Sequence, residues 1–287
     1  MSDREITRRA YAKLNVSLRV LGTRDDGFHE LESLVLPVSL YDLVTVHSSD
    51  RLTLSVSGET AAQVPVDESN LALVAAGALA EALDHEPTGA IAIDKRIPVA
   101  AGLGGGSADA AATLLALREL WDVEVDDETL LAVAAAVGSD VPALLSGSAV
   151  LMTGRGERIE PVTALPTWWT VLPFAFPVGV ADAYAWWDVD GITGPEPMDL
   201  SGAVASGAPE VLATVLANDL QGPVVIRHPA IGQAIDALVA AGAVGALMSG
   251  SGPTVVALAW NEAHAERLVD AVPGAFVVTG PPDPGAG

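Results

Sequence analysis

The chain has 287 residues, half of them apolar, enough to bury a sizeable core in two domains or one large one. It carries a formal net charge of −23, with 37 acidic against 14 basic residues and only two lysines, Lys13 and Lys95. So few cations cannot form the basic face that a nucleic-acid partner requires. The absence of cysteine excludes disulfides, a thiol nucleophile and thiolate metal sites, and suits a reducing cytoplasm. No apolar signal core stands in Met1 to Arg9 and no run of about 18 apolar residues follows, so neither a leader nor a membrane span is expected and the expected location is cytoplasmic. The acidity with few lysines suggests a chain suited to high salt.

Leu14, Val16, Leu18 and Val20 alternate with Asn15, Ser17 and Arg19, which predicts a half-buried strand. A turn at 23–27 leads to strands over Glu30–Pro37, Asp42–His47 and Leu52–Val56, read as adjacent and antiparallel. Asn70 to Leu83 reads as a helix capped by Asn70, followed by a short strand, Ala90–Ile93. Helices are expected at Ala110–Leu120 and Asp127–Val137, the second ending at Gly138, with a short one from Asp140. A strand follows at Ser148–Met152. The polar link Thr163–Thr167 marks the expected boundary between domains 1–163 and 164–287. Beyond it come a strand (Trp169–Phe174), a loop, helices at Glu210–Asp219 and Ala230–Ala241, strands at Gly245–Met248 and Thr254–Ala259, a helix from Glu262 to Val272 capped by Asn261, and a last strand, Phe276–Thr279. That order suggests a ferredoxin-like α/β sandwich. The tail from Pro281 reads as frayed.

The most informative stretch runs from Pro98 through Val99, Ala100, Ala101, Gly102, Leu103, Gly104, Gly105, Gly106, Ser107 and Ala108 to Asp109. Its glycines permit close backbone approach and positive φ. Ser107 or Asp109 can cap the helix that follows. Loop and helix start together form an anion site suited to phosphate. It is not a Walker A loop, because no lysine follows Gly106, and it lacks the spacing and context of a dinucleotide-binding turn.

Phosphoryl transfer needs a phosphate cradle, a cation at the developing charge and a group to deprotonate the acceptor. Lys13 is a candidate cation, against the alternative of a solvated strand-end lysine. Asp140 is a candidate base, against the alternative of a plain helix N-cap. The turn Gly27-Phe28-His29 is either a packed hairpin or a site where a ring stacks on a base and an imidazole reads its edge. Ser249, Gly250, Ser251 and Gly252 form either a flexible hairpin or an active-site loop. His47, His85, His228 and His264 show no metal spacing, and no metal site is expected.

Several separated segments share one resemblance. The glycine stretch resembles the ATP loop of the GHMP kinases. Ala12–Leu18 with Asp26–Leu31 resembles the branch of that family acting on 4-diphosphocytidyl-2-C-methyl-D-erythritol. Gly138–Pro142, Asn218–Leu220, Pro229 and Met248–Pro253 match the rest. The resemblance implies an α+β, two-domain GHMP kinase fold: an N-terminal ribosomal-protein-S5-domain-2-like domain and a C-terminal ferredoxin-like α/β sandwich. It implies Asp140 as general base, Lys13 as stabiliser of the transferring phosphoryl group and the loop Val99 to Asp109 as the ATP phosphate site. It further implies Asn15 at the methylerythritol end, His29 reading the cytosine, and Phe28 and Tyr184 as the two rings that hold it. ATP with Mg2+ as cofactor, the cytidyl substrate as small-molecule partner, a place in isoprenoid precursor synthesis and a monomer or weak homodimer follow from the same likeness. Phe28 stands where the family often has Tyr, and Val180 where it often has Thr. A GHMP kinase with another acceptor and a non-catalytic metabolite sensor of the same fold are the competing readings.

Overall fold

The structure is a computed structural model in which residues 4–191 and 199–282 are described. These fall into two compact units, and the chain passes between them more than once.

The first unit contains residues 4–12, 40–99 and 104–147. It holds the start of β1 (Glu5–Thr23), the end of β2 (His29–His47), β3 (Leu52–Gly58), α1 (Leu71–Ala82), β4 (Gly89–Lys95), α2 (Gly105–Leu120), α3 (Asp127–Val137) and α4 (Val141–Leu145). β4 runs antiparallel to β2, with Val44 opposite Ile93, and parallel to β3, with Val56 opposite Ile93. The sequence reading placed β3 beside residues 42–47 as an antiparallel neighbour; β4 stands between them instead. A period of two reveals which face is buried but not which strand is next. Pro37 is read from sequence as the end of a strand, yet β2 continues through it. Pro37 falls between two stretches of registered pairing, Leu31–Val35 and Leu43–His47, where its missing N–H is tolerated. α1 packs on α2 and α3 through Ala72, Ala75, Ala76 and Leu79, and α2 in turn packs on α4. Alanines let these helices approach closely, while buried leucines such as Leu79, Leu114 and Leu117 each contribute on the order of 1.5–3 kcal/mol. Asn70 caps α1 by accepting from Ala72 N at 2.9 Å, as expected. Gly138 ends α3 with extended backbone, φ 179°, rather than in the left-handed form.

The second unit contains residues 13–39, 100–103, 148–191 and 199–282. Its further elements are β5 (Val150–Gly154), β6 (Arg158–Pro161), β7 (Thr167–Leu172), α5 (Val180–Asp190), α6 (Leu200–Ser206), α7 (Pro209–Leu212), β8 (Ala217–Asn218), α8 (Gln221–Arg227), α9 (Pro229–Ala240), β9 (Gly245–Met248), β10 (Val255–Ala259), α10 (Glu262–Val269) and β11 (Phe276–Gly280). β7, β9, β10 and β11 form a four-stranded antiparallel sheet in the order β11-β7-β10-β9. With α9 before β9 and α10 before β11, this is the split βαβ arrangement of a ferredoxin-like sandwich, as read from sequence. The expected helix Glu210–Asp219 is broken: α7 gives way to a 3-10 turn at Ala213–Val215 and then to β8, which pairs in parallel with β1 at Ser17–Leu18. The β-branched Thr214 and Val215 are poor helix formers, and Asn218 is engaged elsewhere through its side chain. α5, α6, α8 and β6 lie where the sequence reading had a loop or nothing assigned. Among the described residues no helix is long and apolar enough to cross a membrane.

Candidate active site

The glycine loop carries three positive φ values in five residues: Ala100 at 55°, Gly102 at 77° and Gly104 at 73°. In the first unit the loop runs straight into α2, which starts at Gly105, five residues before the expected helix start. Gly104 is the N-cap and no side chain caps the helix, so Ser107 and Asp109 do not serve as caps. The first amides of α2 have no partner four residues back and present the positive end of its dipole.

Asp109 is spent on a different contact. Lys95, the last residue of β4, donates to Asp42 Oδ2 at 2.5 Å and to Asp109 Oδ2 at 2.8 Å. All three side chains are buried. Asp42 Oδ1 also accepts from the backbone N–H of Arg96 and Ile97. Burial pushes the Asp109 carboxyl up to about 7; the charge of Asp42 adds to this and the Lys95 ammonium opposes it. Asp109 Oδ1 is buried with no hydrogen-bond partner. This cluster ties the second turn of α2 to β4 and β2. Asp140 occupies the N-cap position of α4, as its helix-cap alternative requires, yet its side chain makes no cap hydrogen bond.

In the second unit, Lys13 and Asn15 are only 4% and 3% exposed, so Lys13 is not a solvated strand-end lysine. Its backbone N–H donates to Leu103 O at 3.0 Å. Lys13 Nζ donates to Asn15 Oδ1 at 2.6 Å, and Asn15 Nδ2 donates to Ser33 Oγ at 2.7 Å. Asn15 N donates to Ser249 Oγ at 3.0 Å, which brings the β9–β10 loop to β1. That loop is held by Asn218, whose Nδ2 donates to Met248 O and Gly250 O. A Cβ on Gly250 would stand 2.9 Å from Asn15 Oδ1, and one on Gly102 would stand 2.6 Å from Gly252 O. Residues 249–252 are therefore a tightly fitted loop against Lys13, Asn15 and Gly102, not a free hairpin.

The turn at Gly27-Phe28-His29 leads into a second cluster of the same unit. His29 Nε2 lies 2.8 Å from Asp188 Oδ1. Tyr184 stacks on the imidazole with ring centres 4.8 Å apart, and Trp187 meets it edge-on. Phe28 is half exposed and carries the Arg155 guanidinium 5.2 Å from its ring centre. The structure thus brings Tyr184 to His29 and sets Phe28 beside Arg155. Val180, the first residue of α5, is exposed. Sequence reasoning missed Asp42, Lys95, Arg155 and Asp188, and gave Asn218 no role beyond its place in a matching segment. Lys95 had a signal, as one of two lysines placed just before the glycine loop. Asp188 had none, since its partner His29 is 159 residues away.

The family description "GHMP kinases N terminal domain" matches residues 70–148, and "GHMP kinases C terminal" matches 203–278. Fold, loop and both matches define the class as a GHMP kinase. A 4-diphosphocytidyl-2-C-methyl-D-erythritol kinase of Salinispora tropica is 41% identical, over 91% of this chain and 85% of that protein. One of the same name from Rhodococcus jostii is also 41% identical, over 99% and 94%. A crystal structure titled 4-(cytidine 5'-diphospho)-2C-methyl-D-erythritol kinase superposes with a TM-score of 0.80 at 34% identity, covering 96% of this chain and 99% of that one. The chain belongs to the family of 4-diphosphocytidyl-2-C-methyl-D-erythritol kinases.

Proposed function

We propose that the protein transfers the γ-phosphoryl group of ATP to the 2-hydroxyl of 4-diphosphocytidyl-2-C-methyl-D-erythritol, in isoprenoid precursor synthesis. The observation that carries this is 41% identity to kinases of that name over nearly the whole chain. In this reading the amides of loop 99–109 and of the first turn of α2 receive the ATP phosphates. Asp140 takes the proton of the substrate hydroxyl, whose oxygen forms the new bond to the γ-phosphorus as the bond to the ADP oxygen breaks. Lys13 stabilises the charge on the phosphoryl group in flight. Its hydrogen bond to Asn15 Oδ1 supports that role, because it fixes the ammonium in place. Asn15 is assigned to the methylerythritol end, and residues 249–252 line the acceptor side. His29 reads the cytosine edge, with Phe28 and Tyr184 as the rings that hold the base.

Mg2+ belongs to the proposal as the ion carried by the triphosphate, where it neutralises phosphate charge. Among the described residues no group of three His, Asp or Glu side chains is placed to hold a metal. Mg2+ usually keeps its waters and the substrate phosphates, with one or two protein oxygens. We further propose 1–163 and 164–287 as the ATP-binding and C-terminal domains, since β7 opens the four-stranded sheet at Thr167. A cytoplasmic monomer or weak homodimer completes the reading.

The test is ADP release from Mg-ATP with 4-diphosphocytidyl-2-C-methyl-D-erythritol, beside homoserine and mevalonate, at low and high salt. Turnover with the cytidyl substrate alone is the expected result. Turnover with homoserine or mevalonate alone would overturn the reading.

A further inference from the structure

Cations are scarce in this chain, and nearly all those of the second unit are spent. Arg19, Arg24, Arg158 and Arg227 each lie against a carboxylate. Lys13 is held by Asn15, and Arg267 turns back to a carbonyl of its own helix. Arg155 differs: among the described residues its guanidinium makes no ion pair, and what it touches is the face of Phe28, 5.2 Å from the ring centre.

The tip of the β5–β6 hairpin imposes this arrangement. Gly154 and Gly156 flank Arg155 with φ of 75° and 115°, values that a side chain rarely adopts. A Cβ on Gly154 would stand 2.6 Å from the Glu157 carboxylate. That carboxylate is the nearest acid in sequence, and it is turned away from the guanidinium. Its Oε2 accepts from the Arg155 backbone N–H at 2.7 Å, and its Oε1 faces Arg158 at 3.7 Å. Among the described residues, the hairpin therefore presents a guanidinium with no carboxylate partner beside a half-exposed ring, in a protein of net charge −23.

We propose that Arg155 is a substrate-binding residue that takes the diphosphate of the nucleoside-diphosphate acceptor. The inference rests on the reading of Phe28 and His29 as the base site. A base stacked on Phe28 puts the adjoining diphosphate within reach of the neighbouring hairpin tip. A guanidinium matches phosphate oxygens as a planar, two-pronged donor. A cation–π contact at an exposed ring is the weaker interaction, so Arg155 gains by exchanging the ring for the phosphates as the base arrives. Arg155 would then help the enzyme distinguish a cytidine diphosphate derivative from an uncharged cytidine derivative.

The experiment is competition against the acceptor substrate by CDP and by cytidine, in the wild type, R155M and R155K. The expected result is at least tenfold weaker inhibition by CDP in R155M, unchanged inhibition by cytidine, an unchanged KM for ATP, and partial recovery in R155K. Raising KCl should weaken CDP in the wild type more than in R155M. Equal inhibition by CDP in the wild type and R155M, with cytidine still competing, would overturn the role of Arg155 and leave the base site standing. Parallel loss of CDP and cytidine in R155M would also overturn it, by reducing Arg155 to a support for Phe28. If neither compound competes in the wild type, the base-site reading fails and the inference fails with it. R155K keeps the charge and decides the matter should R155M melt at lower temperature.

Discussion

Asp140→Asn keeps the shape of the α4 N-terminus and removes the proposed proton acceptor. It should lower kcat by about 10²–10⁴-fold while the Kd for ATP stays within about twofold; steady-state kinetics beside calorimetric ATP binding would show the split. A fall in thermal stability matching the loss of activity would count against the assignment. Asp188 acts one contact further out. An ionised carboxylate only accepts, so it holds a proton on His29 Nε2 and fixes the orientation of the ring. Asp188→Ala should raise KM for the cytidyl substrate by about tenfold, on the order of 1.4 kcal/mol, and leave KM for ATP unchanged. Lys13, Asp140 and His29 were singled out by the segments they stand in, and their proposed roles come from the resemblance of those segments to the family. Asp188 and Arg155 were not singled out, because each acts on a residue far along the chain.

Among the elements, α2 and the loop before it carry the proposed phosphate site. Gly102 has φ 77°, and a Cβ there would meet Gly252 O at 2.6 Å. Gly102→Ala should therefore destabilise by more than the roughly 1–2 kcal/mol of left-handed backbone alone, lowering Tm by several degrees, and should impair turnover. At the other end of the loop stands the cluster of Lys95, Asp42 and Asp109. The folded-state pKa of Asp109 is raised from 3.8 to about 7. Between those values the native state binds more protons than the unfolded state, so this group's contribution falls as pH rises from about 4 to about 7 and is flat above. Urea midpoints across that range should decline more in the wild type than in Asp109→Asn; parallel declines would show that Asp109 titrates normally. The sequence placed α2 but started it late. Glycine is a poor helix former, and Gly105 enters the first turn where Ile97 and Lys95 pack so closely that a larger residue would crowd them.

For the whole molecule, the dominant quantity is a net charge of −23 on 287 residues. Such a charge repels itself in the compact state, and salt shortens the reach of that repulsion from about 10 Å at 0.1 M to about 3 Å at 1 M. Tm should rise as KCl is raised from 0.1 to 2 M; a Tm that falls steadily would argue against adaptation to high salt. The glycine loop with its helix, the capping residues Asn70 and Asn261 and the order of the C-terminal sandwich could all be read from local pattern, because periodicity, caps and turn chemistry act over a few residues; the two-domain class of fold came from the resemblance of separated motifs to one family. Strand neighbours could not, since alternation is silent about register, and β4 came to stand between β2 and β3. Nor could the pairings that orient the site: Lys95 with Asp42 and Asp109, His29 with Asp188 and Tyr184, Phe28 with Arg155. Those depend on where distant segments are brought together. For Lys95, Asp42 and Asp109 burial then sets the strength, by removing the water that would otherwise compete for the charges.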